Sequence, residues 1–166
     1  LWDTKVLGVP VLGDDGVLVG LREQGVEHFF IGLGGTGDNR PRMRLYETAL
    51  GEGYHPIRAI HPQAVISTSA QLGNGLMAMA GTVINAAAVL GDNVIVNTGA
   101  IVEHDCVLGD HVHVATGARL ASTVFVGREA HIGAGSTVRQ GITIGEGAIV
   151  GAGAAGTEVT MCLEAY

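Results

Sequence analysis

A six-residue period runs through the larger part of the chain. Every sixth residue from position 60 to position 150 is apolar, and fifteen of these sixteen residues are branched aliphatics. The positions are Ile60, Ile66, Leu72, Ala78, Ile84, Leu90, Val96, Val102, Leu108, Val114, Leu120, Val126, Ile132, Val138, Ile144 and Val150. This period fits neither an amphipathic helix nor a long alternating strand. It is typical of a parallel β-helix, in which each hexad supplies one short strand and one turn.

Two further residue types follow the same period. Small residues recur four positions after the aliphatic, at Ala64, Ala70, Thr82, Ala88, Ala100, Cys106, Ala118, Ala130, Ser136 and Ala148. Glycine recurs one position after it, at Gly73, Gly91, Gly109, Gly127, Gly133, Gly145 and Gly151. We expect the aliphatic and the small residue to face inward, and the glycines to supply the backbone conformations of the turns. Three hexads then close one triangular coil, residues 18 apart stack about 4.8 Å from each other, and a little over five coils form.

The first part of the chain has a different pattern. Residues 26–33 are apolar and aromatic enough for a buried parallel strand. Residues 34–39 form a glycine-rich turn whose last two residues, Asp38 and Asn39, are candidate caps. Residues 40–50 are predicted to be helical, with Pro41 in the first turn. Such a turn can hold a phosphate through its backbone N–H groups, or it can be only a tight connection from strand to helix.

Composition changes where the repeat begins. All four prolines and five of the seven aromatic residues lie within the first 62 positions. We therefore predict a partial Rossmann-like α/β segment at residues 1–59, a β-helix domain at residues 60–155 and a C-terminal tail at residues 156–166.

Charge and cysteine content exclude several classes of function. Sixteen acidic and nine basic side chains give a net charge of −7, which argues against nucleic-acid binding. No apolar run reaches the roughly 18 residues of a membrane span, and the N-terminus lacks the features of a signal peptide. Two cysteines are too few for a disulfide framework and favour a reducing compartment. A cytoplasmic protein is the expectation.

Within the repeat, the segments Ile84-Asn85-Ala86 and Val96-Asn97-Thr98-Gly99-Ala100-Ile101-Val102-Glu103-His104-Asp105-Cys106-Val107-Leu108-Gly109-Asp110 are more specific. They resemble the left-handed β-helix, or hexapeptide-repeat, acyltransferases. The resemblance is strongest to bacterial sugar acyltransferases such as sialic acid O-acetyltransferases and bacillosamine-pathway UDP-amino-sugar N-acetyltransferases. Residues 6–13 and 37–40 also match. The resemblance implies a left-handed coil, acetyl-CoA as co-substrate, a sugar or sugar-nucleotide acceptor, and a homotrimer.

The chain departs from the family pattern at both ends. Family members begin with a further strand, glycine-rich turn and helix that bind the sugar nucleotide, and they end in a proline-containing cap. This sequence enters after the first feature and ends in a different tail. The leading expectation is acetyl transfer to the amine of a nucleotide-activated amino sugar. The alternatives are a sialic acid-type O-acetyltransferase and a trimeric scaffold without the acceptor-binding motif.

Acyl transfer from a thioester needs a base that takes a proton from the acceptor. Histidine suits this step because its ordinary pKa lies near neutral pH. His104 matches the family's catalytic base. Asp105 matches the carboxylate that raises its basicity, and Glu103 is the competing partner. The alternative for an isolated pair of this kind is a solvated surface histidine among acidic residues.

The resemblance also implies cofactor contacts, and the matching residues are His113, Ser122, Ala134 and Ala152. Asn85 and Asn97 directly follow inward aliphatics, so they either line the groove as acceptor contacts or form stacked amide contacts along the prism. Asp38 and Asn39, with Arg40 beside them, are further candidates for the acceptor. His131 lies one coil above His113, and the pair is either part of the site or an exposed ladder without a role. His111 is expected to be a solvated turn residue. The three-histidine zinc site of γ-type carbonic anhydrases is not predicted, because the histidine spacing does not match it.

Overall fold

The computed structural model describes residues 4–156. Its N-terminal segment begins with an antiparallel hairpin of β1 (Lys5–Val6) and β2 (Val9–Pro10). A 3-10 turn (Asp15–Val17) and the short helix α1 (Leu18–Glu23) follow. The remaining elements of this segment are β3 (His28–Phe29), α2 (Arg40–Gly51) and β4 (His55–Pro56), and β3 pairs with β4 in parallel.

Seventeen two-residue strands follow, one in each hexad. They are β5 Ala59–Ile60, β6 Val65–Ile66, β7 Gln71–Leu72, β8 Met77–Ala78, β9 Val83–Ile84, β10 Val89–Leu90, β11 Ile95–Val96, β12 Ile101–Val102, β13 Val107–Leu108, β14 His113–Val114, β15 Arg119–Leu120, β16 Phe125–Val126, β17 His131–Ile132, β18 Thr137–Val138, β19 Thr143–Ile144, β20 Ile149–Val150 and β21 Ala155–Gly156. Each strand is short because the chain turns a corner after every pair of extended residues.

Every third strand pairs in parallel, which gives the prism three faces. The first face contains β5, β8, β11, β14, β17 and β20; the second contains β6, β9, β12, β15, β18 and β21; the third contains β7, β10, β13, β16 and β19. The register is 18 residues throughout, as in the pairing of Val89 with Val107. The predicted parallel β-helix of a little over five coils is confirmed, and the architecture is consistent with the left-handed coil that the resemblance implies.

The interior is filled as the period predicts. The repeated aliphatics are fully buried through the middle coils, and the small residues Ala88, Ala100 and Ala118 lie beside them with no exposed surface. Ile60 is 46% exposed, because β5 is the edge strand of the first face. A core of stacked aliphatics therefore replaces the aromatic residues that this part of the chain lacks.

The role predicted for the repeated glycines is wrong. The left-handed backbone positions lie two residues later in each hexad, for example at Gly99 (φ +66°) and Asp105 (φ +59°). Where another coil lies above them, as at Gly73, Gly91, Gly109, Gly127 and Gly133, the repeated glycines are required instead by close approach between coils. A Cβ atom on Gly127 would lie 2.5 Å from the backbone nitrogen of Glu146 in the next coil, and one on Gly109 would lie 2.7 Å from that of Arg128.

The N-terminal segment differs in part from prediction. The strand predicted at residues 26–33 is only His28–Phe29, and Val26 and Leu33 are exposed, because β3 has a single partner strand in the described residues. Helix α2 is confirmed, with a proline in its first turn. The Asp38 carboxylate accepts a hydrogen bond from the first backbone N–H of this helix. The Rossmann-like character and boundaries of residues 1–59 stay predictions.

Helix α2 docks on the prism through a buried cation. Arg42 is 1% exposed, and its guanidinium donates hydrogen bonds to the backbone carbonyls of Asn93 and His111 (2.6 Å to His111). The ring of Tyr46 meets the His111 ring edge-on, with 5.6 Å between centroids. The prediction that His111 is solvated is therefore wrong: the helix covers it, and its Nδ1 accepts a hydrogen bond from the Asn93 amide (3.0 Å).

The predicted tail at residues 156–166 lies outside the described residues, apart from the last residue of β21. No helix within residues 4–156 has the length and apolar character needed to cross a membrane.

The close approach between coils predicts a contrast between two glycines. We expect Gly127→Ala to lower the free energy of unfolding by about 1–3 kcal/mol, because the added methyl group meets backbone of the next coil. Gly151→Ala, whose methyl group would have nothing within 4 Å, is the matched control and should change it by less than about 0.5 kcal/mol. Thermal unfolding of both variants is the measurement, and equal effects would contradict this role for the glycines.

Candidate active site

His104 and Asp105 lie at the corner between the second and third faces, in the turn from β12 to β13. His104 Nδ1 donates a hydrogen bond to Asp105 Oδ2 at 2.7 Å, and both side chains are more than half exposed. Asp105 occupies the left-handed position of its turn, which aspartate tolerates better than most residues. Because Nδ1 holds the proton toward the carboxylate, Nε2 is the basic nitrogen. Nothing in residues 4–156 hydrogen-bonds to it.

The second nearby carboxylate has a different partner. Asn85 lies directly below Glu103 in the stack, and its Nδ2 donates a hydrogen bond to Glu103 Oε2 at 2.8 Å. Of the two carboxylates that the sequence leaves open, Asp105 is therefore the one that contacts His104.

A pocket of about 450 Å³ lies between the prism and the N-terminal segment. The loop Gly35–Gly37 forms one wall. Outward side chains of the first face form the other, and the corner between the first and second faces closes it. Members of the prism wall include Asn97, His113, Thr116, His131, Ala134, Ile149 and Ala152.

His113 and His131 form the polar part of this wall. They are register partners in adjacent coils, and their rings meet edge to face with 4.8 Å between centroids. His113 is 5% exposed, and its Nε2 accepts a hydrogen bond from Asn97 Nδ2 (3.3 Å). Burial lowers the pKa of His113 to about 4, and the charges of His131 and Arg42 act in the same direction. Burial also lowers the pKa of His131, so both rings are neutral at neutral pH.

The predicted site residues of the prism fall into two groups. His113, Ala134, Ala152 and Asn97 meet in the pocket. His104, Asp105, Asn85 and Ser122 lie instead around the corner between the second and third faces, with Ser122 in the coil above His104. None of the second group lines the pocket.

Asp38 and Asn39 lie beside the pocket without lining it. Asp38 is paired with Arg40 Nε at 2.8 Å, which lowers the pKa of its carboxyl group. Asn39 is buried, and its amide donates to the backbone carbonyls of Glu129 (3.0 Å) and Ala130 (3.1 Å). The structure favours an anchoring role for Asn39, and the predicted contacts of both residues with a sugar nucleotide stay predictions.

Sequence reasoning missed part of the pocket wall. Ile149 and Thr116 occupy outward or turn positions that many hexads fill with similar residues, so no chemical signal marks them. The sequence predicts the glycine-rich turn only as a phosphate site or a tight connection, not as a wall of this pocket. Its position over His113 depends on how α2 docks, which no local pattern contains. Within residues 4–156 no three His, Cys, Asp or Glu side chains lie close enough to hold a metal ion.

Comparison with known proteins identifies the family. The sequence profile described as Bacterial transferase hexapeptide (six repeats) matches residues 87–122 and 123–155. The crystal structure of PerB from Caulobacter crescentus, in complex with CoA and GDP-perosamine, is 49% identical, with a TM-score of 0.86; the match covers 91% of this chain and 72% of that one. The chain belongs to the hexapeptide-repeat sugar acetyltransferases.

Two further structures resemble this acetyltransferase. The acetyltransferase domain of PglB from Neisseria gonorrhoeae, in complex with acetyl coenzyme A, is 38% identical over 95% of this chain and 75% of that one, with a TM-score of 0.87. WeeI from Acinetobacter baumannii is 25% identical over 97% of this chain and 74% of that one, with a TM-score of 0.76. No curated protein sequence matches the chain significantly.

The buried histidine predicts how this acetyltransferase responds to acid. The pKa of His113 falls from 6.5 to about 4 in the folded chain. Between these values the unfolded chain binds a proton that the folded chain does not, so stability decreases as pH falls through this range. We expect His113→Gln to reduce the loss of unfolding free energy between pH 7 and pH 4.5 by about 1–3 kcal/mol relative to the unmodified chain. Chemical denaturation at several pH values measures the free energy of unfolding. The exposed His61→Gln is the control, and parallel curves for all three proteins would contradict the assignment.

Proposed function

We propose that this chain transfers an acetyl group from acetyl-CoA to the amine of a nucleotide-activated amino sugar, with His104 as general base. The observation that carries the proposal is the His104–Asp105 hydrogen bond of 2.7 Å on an accessible corner of the prism. Two relatives support the proposal: PerB binds CoA and GDP-perosamine, and the PglB domain binds acetyl coenzyme A.

The proposed mechanism uses one pair of side chains. Acetyl-CoA supplies a thioester whose carbonyl carbon accepts the nucleophile. Asp105 fixes the Nδ1–H tautomer of His104 and stabilises the imidazolium. His104 Nε2 takes a proton from the acceptor nitrogen as the C–N bond forms, and it returns a proton to the departing thiolate as the C–S bond breaks. The acceptor attacks directly, so no covalent enzyme intermediate is formed.

The pocket is the proposed site for the acetyl-bearing end of acetyl-CoA. Ala134 and Ala152 line the pocket, and no hydrogen bond within residues 4–156 uses the backbone N–H of either, so both can donate to the carbonyl groups of a pantetheine arm. Ile149 provides an apolar wall, and the neutral ring of His113 adds a polar group without charge. Ser122 is proposed as a contact near His104. Asn85, Asn97, Asp38 and Asn39 are the proposed acceptor contacts, of which Asn97 lies in the pocket itself.

A homotrimer is part of the proposal. The base and the pocket lie at different corners of one prism, so a neighbouring copy is needed to bring them together. Apolar side chains point outward on the two faces that meet at His104: Val65 on the second face, and Val107 and Phe125 on the third, are all exposed. These flat apolar ladders suit prism-to-prism contact. A cytoplasmic location is proposed with it, because Cys106 is a free buried thiol.

Removal of the base tests the proposed function. We expect His104→Ala to lower kcat for acetyl transfer about 10²- to 10⁴-fold, with acetyl-CoA binding retained, because the pocket is formed by other residues. Consumption of acetyl-CoA is measured against a panel of GDP- and UDP-linked amino sugars, with sialic acid as the hydroxyl acceptor. The exposed His28→Ala is the control. Turnover with sialic acid alone would replace the proposal with O-acetylation, and full activity of His104→Ala would remove His104 from the mechanism.

The proposed assembly predicts complementation between inactive variants. Chains with His104→Ala keep the pocket, and chains with Ala152→Trp keep the base but have a blocked pocket. If each site combines the two corners of neighbouring copies, co-expression should restore about one quarter of the activity, the share of sites with both parts intact. Sedimentation velocity should give the mass of three chains. A monomer, or no recovery in mixed trimers, would contradict the shared site.

A further inference from the structure

The side chains along one wall of the pocket become larger toward the N-terminal end of the prism. Four wall residues occupy the same place in successive coils, 18 residues apart, and we call them the pocket column: Asn97, Ala115, Gly133 and Gly151. From the upper coils downward, the side chain in this column changes from a hydrogen atom to a methyl group and then to a carboxamide. Within residues 4–156 the prism wall has no member below Asn97, so its side chain marks the lower end of the pocket.

The Asn97 side chain is held by both polar atoms of its amide. Its Oδ1 accepts a hydrogen bond from the backbone N–H of Thr98 at 2.7 Å, and its Nδ2 donates to His113 Nε2 at 3.3 Å. The side chain is half-buried, and turning it out of the pocket would break both hydrogen bonds. Asn97 is therefore a fixed barrier.

The proposed assembly puts the base of a neighbouring copy close to the level of this barrier. The faces that carry the exposed apolar ladders run along the prism, so prisms that pack on them lie side by side, with the threefold axis parallel to the prism axis. Rotation about that axis keeps every residue at its own height. His104 follows Asn97 by seven residues, less than half of one 18-residue coil. At about 4.8 Å per coil, the base lies about 2 Å above Asn97.

The shape of the cofactor gives its direction in the pocket. The nucleotide of acetyl-CoA is too large for the closed lower end, so it leaves by the upper end, where the pocket column is glycine. The thioester has to lie at the height of His104 for the acceptor to reach both. The acyl group then extends downward to Asn97, over a height of about one or two C–C bonds.

We propose that Asn97 restricts the acyl donor to acetyl-CoA by closing the pocket directly below the thioester. The inference rests on the proposed function, because it uses the same cofactor site and the same assembly, and it adds to the acceptor contact proposed for Asn97. The methyl group of an acetyl donor fits above the carboxamide. A propionyl or butyryl chain meets the carboxamide and pushes the thioester away from His104, although the bonds made and broken in the transfer are the same.

A change of side-chain size tests the barrier. Asn97→Ala reproduces the residue one coil above, Ala115, so the backbone of this turn accommodates alanine. Asn97→Asp is the matched control, because a carboxylate keeps the size of the amide but cannot donate to His113. The kcat/KM values for acetyl-, propionyl- and butyryl-CoA are measured with the preferred amino-sugar acceptor of the panel, and thermal unfolding verifies that each variant is folded.

We expect the unmodified protein to prefer acetyl-CoA over propionyl-CoA by about 10- to 200-fold in kcat/KM, the usual discrimination for one methylene group. In Asn97→Ala this ratio should fall at least about tenfold, and butyryl-CoA should become a substrate. Asn97→Asp should lower kcat/KM for every donor by a common factor and keep the ratio, because the lost hydrogen bond affects all donors alike.

Binding in the absence of an acceptor gives a second readout. Calorimetry should show that butyryl-CoA binds more weakly than acetyl-CoA to the unmodified protein and to Asn97→Asp. The two thioesters should bind Asn97→Ala with similar affinity. This measurement does not depend on the acceptor class or on turnover.

The opposite results separate two failures. An unchanged donor ratio in Asn97→Ala, an equal change of the ratio in Asn97→Asp, or equal use of acetyl- and propionyl-CoA by the unmodified protein would overturn the role of Asn97 and leave acyl transfer to an amino sugar intact. If the unmodified protein acylates no amino sugar with any donor, the proposed function is wrong, and the binding measurement alone decides whether Asn97 closes the pocket.

Discussion

The backbone hydrogen bonds between stacked coils are the constraint on which the rest of this protein depends. Each coil lies directly on the next with an 18-residue register, and the hydrogen bonds run along the prism axis from β5 to β21. This stacking leaves a narrow interior that only one large aliphatic and one small residue per hexad can fill. It also brings backbones so close at Gly109 and Gly127 that a side chain has no room. Core composition, turn chemistry and the positions of the site residues all follow from it.

The same register determines where the site residues lie around the prism. A residue's position around the prism depends on its place within the 18-residue coil, so Ser122 lies above His104 and His131 lies above His113. Two separate corners thus acquire different surroundings: one presents an exposed histidine–carboxylate pair, and the other presents one buried and one half-buried imidazole. Burial lowers the pKa of both imidazoles at the pocket, so they are neutral at neutral pH.

The sequence alone predicted the features that depend on local spacing. The period shows which side chains face inward, because a misplaced large residue cannot fit the interior. Local spacing also limits the partner of His104 to its two neighbours, Glu103 and Asp105, but it leaves open which carboxylate contacts the imidazole. Features that depend on docking of the N-terminal segment were not predictable in this way. His111 has the pattern of a solvated turn, and α2 buries it; Asn39 has the pattern of a helix cap, and its amide binds the prism instead. The partner of Glu103 lies one coil away, where the register indicates proximity but not which side chains bond.

The buried guanidinium of Arg42 has a consequence for how the two parts of the molecule fit together. Its N–H groups meet carbonyls of Asn93 and His111, which occupy equivalent positions in successive coils. A helix displaced by a fraction of the coil spacing would carry the charge into the interface without those acceptors, at a cost of several kcal/mol. Intermediate alignments of α2 are therefore disfavoured far more than an apolar contact surface would disfavour them. Arg42 in this way holds α2 in step with the coils, and the chain that leads into α2 lies with Gly35 next to the ring of His113.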